Sequence, residues 1–313
     1  MAFLDEDEER GFWLRATDRF VVVFARLFLW LAMRLPYERR VPVAGWVFSR
    51  IVAPVAGYSR RVRDNLAKVR PDLDPAEVRR LMRDVPDNVG RTLIEIWSGQ
   101  AFIDRVRDLP LTGPGVAALE RALAEGRPAV LATGHVGNYD VVRARLIANG
   151  YRVGALYKPM KNDGFNEIYV RAISRIGTPL FARGTHGLGE MVRHLKSGGM
   201  LGLLMDQHIG TGVQLTFFGA PAMTATSAAD LALKYKADLI PIYALRERNG
   251  LDFRIVVEAP IPAGTPEAMT QAVNDSLEAL VRAHMDQWFW IHRRWKVRKR
   301  RKPKGEGRKR RRS

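Results

Sequence analysis

A histidine and an aspartate five positions apart, His135 and Asp140, stand in the stretch Val130-Leu131-Ala132-Thr133-Gly134-His135-Val136-Gly137-Asn138-Tyr139-Asp140. Five residues of regular helix turn the chain through about 500°, so a helix would not put both groups on one face. Gly137 lets the backbone bend, and Asn138 is a suitable N-cap for a helix beginning at Tyr139. Asp140 then sits in the first helical turn, from which it reaches back to the imidazole in the preceding loop. A carboxylate so placed fixes the tautomer of His135 and stabilises its protonated form, which is what a general base requires. The same residues also suit a plain strand–turn–helix junction with a satisfied polar pair.

Other residues add chemistry around this pair. Lys158 and Arg183 each follow a predicted strand and are candidate donors to negative charge developing in a transition state. Lys158 could instead hold a substrate phosphate as a point charge, and either residue could be a solvated surface cation. Asp206 closes the apolar run Met200–Met205 and Gln207 follows it. Polar residues at the carboxyl end of a strand lie where open α/β sheets bind ligands, so both are candidate substrate-binding residues; a turn aspartate is the alternative. His208 has no second histidine or carboxylate at ligand spacing, so no metal site is expected. No serine lies in a Gly-X-Ser-X-Gly turn and the chain contains no cysteine, which leaves no obvious covalent nucleophile. The segment His292-Arg293-Arg294-Trp295 either packs on the body or holds an anion. The preceding tryptophans, Trp288 and Trp290, favour a structural or membrane-facing role at a wet–apolar boundary.

These residues fall in a pattern that resembles the bacterial lipid A biosynthesis (lauroyl/myristoyl) acyltransferases, within the wider lysophospholipid acyltransferase superfamily. Gly134–Asp140 looks like that family's His-X4-Asp/Glu block (HX4D), and Tyr157-Lys158-Pro159-Met160-Lys161-Asn162 is similar to the segment after it, where many members carry arginine at the position of Lys158. Leu204-Met205-Asp206-Gln207 resembles the family's Asp-Gln block. Phe217-Phe218-Gly219-Ala220-Pro221-Ala222 and Gln287–Trp295 resemble two more, in the same order, so the likeness covers about residues 10–296. It implies a glycerol-phosphate acyltransferase-like fold and an O-acyltransferase. An acyl thioester on acyl carrier protein or coenzyme A would be the donor, and a hydroxyl of a lipid A precursor or related glycolipid the acceptor. His135 would be the general base, oriented by Asp140, and no cofactor is needed. Acylation of a lysophospholipid such as 1-acylglycerol-3-phosphate, or hydrolysis of the thioester, are the alternatives.

The elements that must position these residues are legible in part. Residues 1–110 lack a two-residue period and read as helices, with a run from Asp74 to Arg107 interrupted near Pro86. From Pro128 apolar runs of strand length occur at Ala129–Thr133, Arg152–Tyr157, Pro179–Ala182, Met200–Met205, Leu239–Leu245 and Phe253–Glu258. Helical patterns lie between several of them, at Tyr139–Ala148, Asp163–Arg175, His186–Lys196 and Thr224–Lys236, and a last helix is expected over Pro266–Trp290. Such alternation predicts an α/β fold with a mixed, mostly parallel sheet flanked by helices. The expected organisation is a helical membrane-associated region over 1–110, an α/β domain over 111–296 and a disordered basic tail over 297–313.

Charge and hydropathy bear on partners. The net charge of +18 is concentrated in the tail, where residues 298–313 hold eleven Lys/Arg against one Glu. The body remains basic, which favours anionic substrates or an anionic surface. The tail has no interleaved aromatic residues to stack bases, and polybasic segments bind anionic lipid well, so no nucleic acid is expected as a partner. The apolar segment Phe20–Met33 is interrupted by Arg26 and is shorter than the roughly 20 residues a span needs. An interfacial helix with Trp30 and the arginines at headgroup level is expected, a true span and a buried core helix being the alternatives; the resemblance implies the cytoplasmic face of the inner membrane. The acidic first residues do not resemble a signal peptide.

Overall fold

The computed structural model describes residues 22–23, 25–160 and 162–296. The acidic first residues, part of the apolar segment and the basic tail expected at 297–313 lie outside the described residues. Among the described residues, the chain ahead of the sheet is mostly helical. A helical stretch ends at Ala32, and α1 (Tyr37–Val47) runs on through a π-helical turn at Phe48–Val52 and a last helical turn at Ala53–Val55. α2 (Tyr58–Val69), α3 (Pro75–Trp97) and α4 (Gln100–Val106) follow.

α3 starts where its sequence says it should. The Asp74 carboxylate accepts the backbone N–H of Ala76 at 2.6 Å, and Pro75 occupies the first helical turn, where its missing N–H costs nothing. The interruption expected near Pro86 does not occur: α3 runs unbroken past it. An interior proline costs about 3 kcal/mol. Burial of Leu81, Val85, Ile94 and Ile96 on the same helix outweighs it, at roughly 1.5–3 kcal/mol for each aliphatic side chain.

The sheet has seven strands in the order β1-β9-β8-β2-β5-β3-β4. They are β1 (Leu111–Thr112), β2 (Ala129–Thr133), β3 (Val153–Tyr157), β4 (Leu180–Ala182), β5 (Met200–Leu204), β8 (Asp238–Arg246) and β9 (Phe253–Val257). β8, β2, β5, β3 and β4 are parallel; β9 pairs antiparallel to β8, and β1 runs parallel to β9. This is the mixed, mostly parallel sheet that the alternating pattern predicts. Along β2 the side chains alternate between two buried layers. Ala129 and Leu131 join the layer with α6 (Asp140–Ala148) and α7 (Asp163–Ile176). Val130 and Ala132 join the layer with α8 (Thr185–Lys196), α9 (Ser227–Tyr235) and α10 (Pro266–Ala283). Burial on both faces is why β2 reads as a continuous apolar run.

Two expectations are corrected. The helix expected over Thr224–Lys236 begins at Ser227, because Ala220–Thr224 is strand β7, paired antiparallel with β6 (Val213–Phe217) in a separate hairpin. The last helix ends at Ala283 rather than Trp290. His284 leaves helical conformation, and Trp288 is extended and bridges Val136. The tryptophans beyond it do not face a membrane. Trp288, Trp290 and Trp295 are buried against Phe217 and Phe218 of the hairpin, with ring centroids 4.7–6.3 Å apart.

Candidate active site

His135 stands two residues beyond the carboxyl end of β2, and Asp206 two residues beyond that of the adjacent β5. Parallel pairing keeps the two strand ends level, and the Met205 N–H donates to Thr133 O at 2.8 Å, closing the gap between them. The carboxylate that meets the imidazole is therefore Asp206. Its Oδ1 lies 2.7 Å from His135 Nδ1, while its Oδ2 accepts the His135 backbone N–H at 2.7 Å and Trp288 Nε1–H at 2.8 Å. Gly134 allows this approach: a Cβ there would meet Leu277 at 2.8 Å and Asp206 Oδ2 at 3.2 Å.

The expected pairing of His135 with Asp140 is not formed. Asp140 opens α6 and is buried against Arg143 one turn on, with Oδ1 accepting Arg143 Nε–H at 2.9 Å. Arg143 also donates to Ile173 O and Gly177 O at the end of α7. The local spacing thus builds an ion pair that joins two helices. The helix begins at Asp140 rather than Tyr139, with Tyr139 and not Asn138 at the N-cap; Asn138 instead precedes the helix in a turn, its Oδ1 accepting the Asp140 N–H at 3.0 Å.

Electrostatics follow from this geometry. Burial alone would push the Asp206 carboxyl up. The charge on His135, the hydrogen bonds from His135 and that from Trp288 outweigh it and hold the carboxyl down at about 2. An ionised Asp206 can only accept, so the proton of neutral His135 resides on Nδ1 and the lone pair on Nε2. Nε2 lies 3.4 Å from the Gln207 amide nitrogen, and both residues line a cavity of about 820 Å³. Phe289 and Tyr139 flank the imidazole, with centroids 5.7 and 5.2 Å away. His292, in the same wall, receives the His208 N–H on Nε2 at 2.9 Å. Burial pushes its imidazole down to about 4, Asp206 opposing and His135 and Arg294 adding to the effect, so it is neutral near pH 7.

The turn carrying His135 is clamped from α3. Asn88 Nδ2–H and Thr92 Oγ1–H both donate to Gly137 O, at 3.1 and 2.9 Å. Asn138 Nδ2–H donates to Glu95, which is wholly buried and paired with Arg246 of β8. Gly137 has φ +54°, and a Cβ there would lie 2.0 Å from Ala244 O, so no other residue fits. Gln287 closes the ring with paired bonds to the Arg246 backbone at 2.8 and 2.9 Å.

Of the remaining candidates, Gln207 reaches the cavity while Asp206 is buried beneath His135, positioning it rather than meeting substrate. Lys158 and Arg183 are exposed at the ends of β3 and β4, and neither lines the cavity. Strands lie about 4.8 Å apart, so edge strand β4, three places from β2, ends roughly 14 Å away. The cations that do line the cavity are Arg61, Arg293 and Lys296. Arg61 and Lys296 carry no signal in the sequence; Arg293 precedes the buried Arg294 in the segment His292–Trp295, for which an anion site is one of two readings. A second, apolar cavity of about 230 Å³ shares Phe48, Leu93 and Phe165 with the first and extends between Phe28, Leu29, Val52 and Trp97.

With this geometry in place, comparison with known proteins is informative. The model of the family described as bacterial lipid A biosynthesis acyltransferase matches residues 10–297. A phosphatidylinositol mannoside acyltransferase of Mycobacterium tuberculosis is 26% identical over 272 residues, 85% of this chain and 86% of that protein. The lipid A biosynthesis palmitoleoyltransferase of Escherichia coli is 25% identical over 281 residues, 86% of this chain and 89% of that protein. Among solved structures, the 1-acyl-sn-glycerophosphate acyltransferase PlsC of Thermotoga maritima aligns with a TM-score of 0.34 at 11% identity, over 77% of this chain and 96% of that one.

Proposed function

The chain belongs to the bacterial lipid A biosynthesis acyltransferase family and is an acyltransferase, and we propose that it moves a fatty acyl chain from a thioester to a hydroxyl of a glycolipid. The observation that carries the residue assignment is the His135 Nδ1–Asp206 bond, which leaves the Nε2 lone pair at the cavity wall, 3.4 Å from the Gln207 amide. The acceptor hydroxyl attacks the thioester carbonyl carbon while His135 Nε2 takes its proton. The C–O bond forms and the carbonyl becomes an oxyanion, which the Gln207 amide is placed to meet. Collapse of this intermediate breaks the C–S bond, and the imidazolium returns its proton to the departing thiolate. Asp206 stays ionised throughout, holding the ring and stabilising the transient imidazolium.

The lipid nature of the substrates is supported by the apolar cavity beside the reaction centre. One helix serves both it and the outside: Ala25, Phe28 and Leu29 line the cavity, whereas Leu27, Trp30 and Leu31 are more than half exposed. Trp46, Ile51 and Val55 extend the exposed apolar surface along α1 and its continuation. Among the described residues no single helix is long and apolar enough to cross a membrane. We read this face as lying in the headgroup region of the inner membrane on its cytoplasmic side, where acyl carrier protein or coenzyme A delivers the donor. The test is thiol release and product mass with an acyl thioester and a glycolipid acceptor, a lysophospholipid, or no acceptor. Release that needs the glycolipid, and is abolished in His135→Ala, is expected. Release without acceptor would mark a hydrolase, and transfer to the lysophospholipid alone would replace the glycolipid reading.

A further inference from the structure

Among the described residues, the cavity above His135 has no carboxylate in its lining, yet Arg61, Arg293 and Lys296 all lie in it. Elsewhere on these helices arginines are neutralised one turn away, as Arg80 is by Glu77 and Asp84, and Arg282 by Glu278. None of the three cavity cations has an acidic partner among the described residues; Arg61 instead lies over the Tyr58 ring at 5.4 Å. Behind them Arg294 is wholly buried and bonds only to neutral oxygens, those of Gln207, Met223 and Thr224. Burial pulls its guanidinium down to about 10, with Asp206 opposing, so it remains a cation near neutral pH. Burial, then Arg294 and Lys296, push the His208 imidazole down as well. Four positive charges thus face or back one concave wall without a carboxylate among its lining residues, an arrangement that focuses positive potential into the cavity.

We propose that Arg61, Arg293 and Lys296 form an anion subsite that takes a phosphate ester of a substrate during acyl transfer. Cations from two separate segments, α2 and the chain after Trp290, converge on the cavity, which suits an anion offering several oxygens. The phosphate has two sources in the proposed reaction: the phosphopantetheine arm of the donor, or the headgroup of the acceptor. The proposal rests on the acyl-transfer reading for what carries the phosphate, not for the anion itself.

Binding separates the sources without turnover. Calorimetry on the full chain at low salt compares 4′-phosphopantetheine with pantetheine, and myo-inositol 1-phosphate with myo-inositol. In one of the two pairs the phosphorylated probe should bind at least about 10-fold more tightly, and that pair names the source. The advantage should shrink with added salt, and fall to less than about 3-fold in Arg61→Gln/Arg293→Gln/Lys296→Gln. Arg293→Gln/Lys296→Gln, which changes only exposed residues, should lose most of it and keep the wild-type circular dichroism. Equal binding within both pairs, or an advantage that survives in the triple variant, would overturn the subsite. A protein that binds the phosphate but acylates no glycolipid would instead refute the proposed acceptor and leave the subsite standing.

Discussion

Asp206→Asn separates the two carboxylates that could orient His135. In the folded protein the Asp206 carboxyl is held at about 2 against an ordinary 3.8, on the order of 2 kcal/mol in favour of the charged form. The His135 charge supplies only part of this, beside the bonds from the His135 backbone and Trp288, and an ionised carboxylate at that place favours the imidazolium formed as the acceptor loses its proton. Asparagine also changes the tautomer. Its oxygen can keep the bonds from the His135 backbone and Trp288, but its NH2 then faces Nδ1 and drives the ring proton to Nε2, removing the base. Together these effects predict a fall in kcat of about 10²- to 10⁴-fold. The stability effect has a defined sign. A depressed carboxyl stabilises the fold fully above about pH 4, and that contribution is lost as the pH falls through about 2. The variant should therefore be about 2 kcal/mol less stable at pH 7, with the gap closing below pH 4. The control is Asp140→Asn, which weakens the buried bond to Arg143. It should cost about 3 kcal/mol of stability while kcat per folded molecule falls less than about tenfold. The assay is thiol release at saturating acceptor, with urea denaturation across pH 2–7. A D206N enzyme with more than a tenth of wild-type kcat, or a folded D140N enzyme as inactive as D206N, would refute the assignment.

Three further outcomes are expected. His135→Ala should lower kcat by at least about 10²-fold with an unchanged circular dichroism spectrum and melting profile. Gly137→Ala forces a Cβ to within 2.0 Å of Ala244 O at a positive φ, so the chemical denaturation midpoint should drop by the equivalent of at least about 2 kcal/mol. Leu27→Asp/Trp30→Asp/Leu31→Asp, all on exposed positions, should leave the fold intact and release the protein from anionic vesicles at high salt, where apolar insertion is the contact that remains. Unaltered sedimentation of that variant with vesicles would place the membrane contact elsewhere.

What the sequence reveals and what it hides follow from the range of each interaction. The six apolar runs from Ala129 to Glu258 each hold a strand; β2 and β8, buried along nearly their whole length, are apolar on both faces for that reason. Both blocks of the site, at His135 and at Asp206–Gln207, are visible as polar residues closing such runs. Their pairing is not visible, since it depends on β5 lying beside β2 although 71 residues separate the two side chains. Local spacing offered Asp140 instead. The counter-signal was also local: Asp140 and Arg143 stand three residues apart in a first helical turn, a spacing that pairs opposite charges. The hairpin was readable too, because Val213, Leu215 and Phe217 alternate up to the Phe218-Gly219 turn. The α3 clamp on Gly137 was not: Asn88, Thr92 and Glu95 look like ordinary helix residues until the turn arrives beside them.

The His135–Asp206 pair does not by itself choose between an alcohol and water, since either can lose a proton to Nε2. The cavity is wide, at about 820 Å³. Preference for transfer must then come from holding the acceptor, because a correctly placed hydroxyl reaches effective molarities of ~10⁵ M or more. That places the burden on the features flanking the dyad: the turn held by α3, the apolar cavity reached past Phe48, Leu93 and Phe165, and the cations at Arg61, Arg293 and Lys296. A lipid held at both its chain and its charge has few ways left to orient its hydroxyl. In the proposed reaction the division of labour is physical: the two parallel strand ends supply a base, and the helices packed around them decide what that base deprotonates.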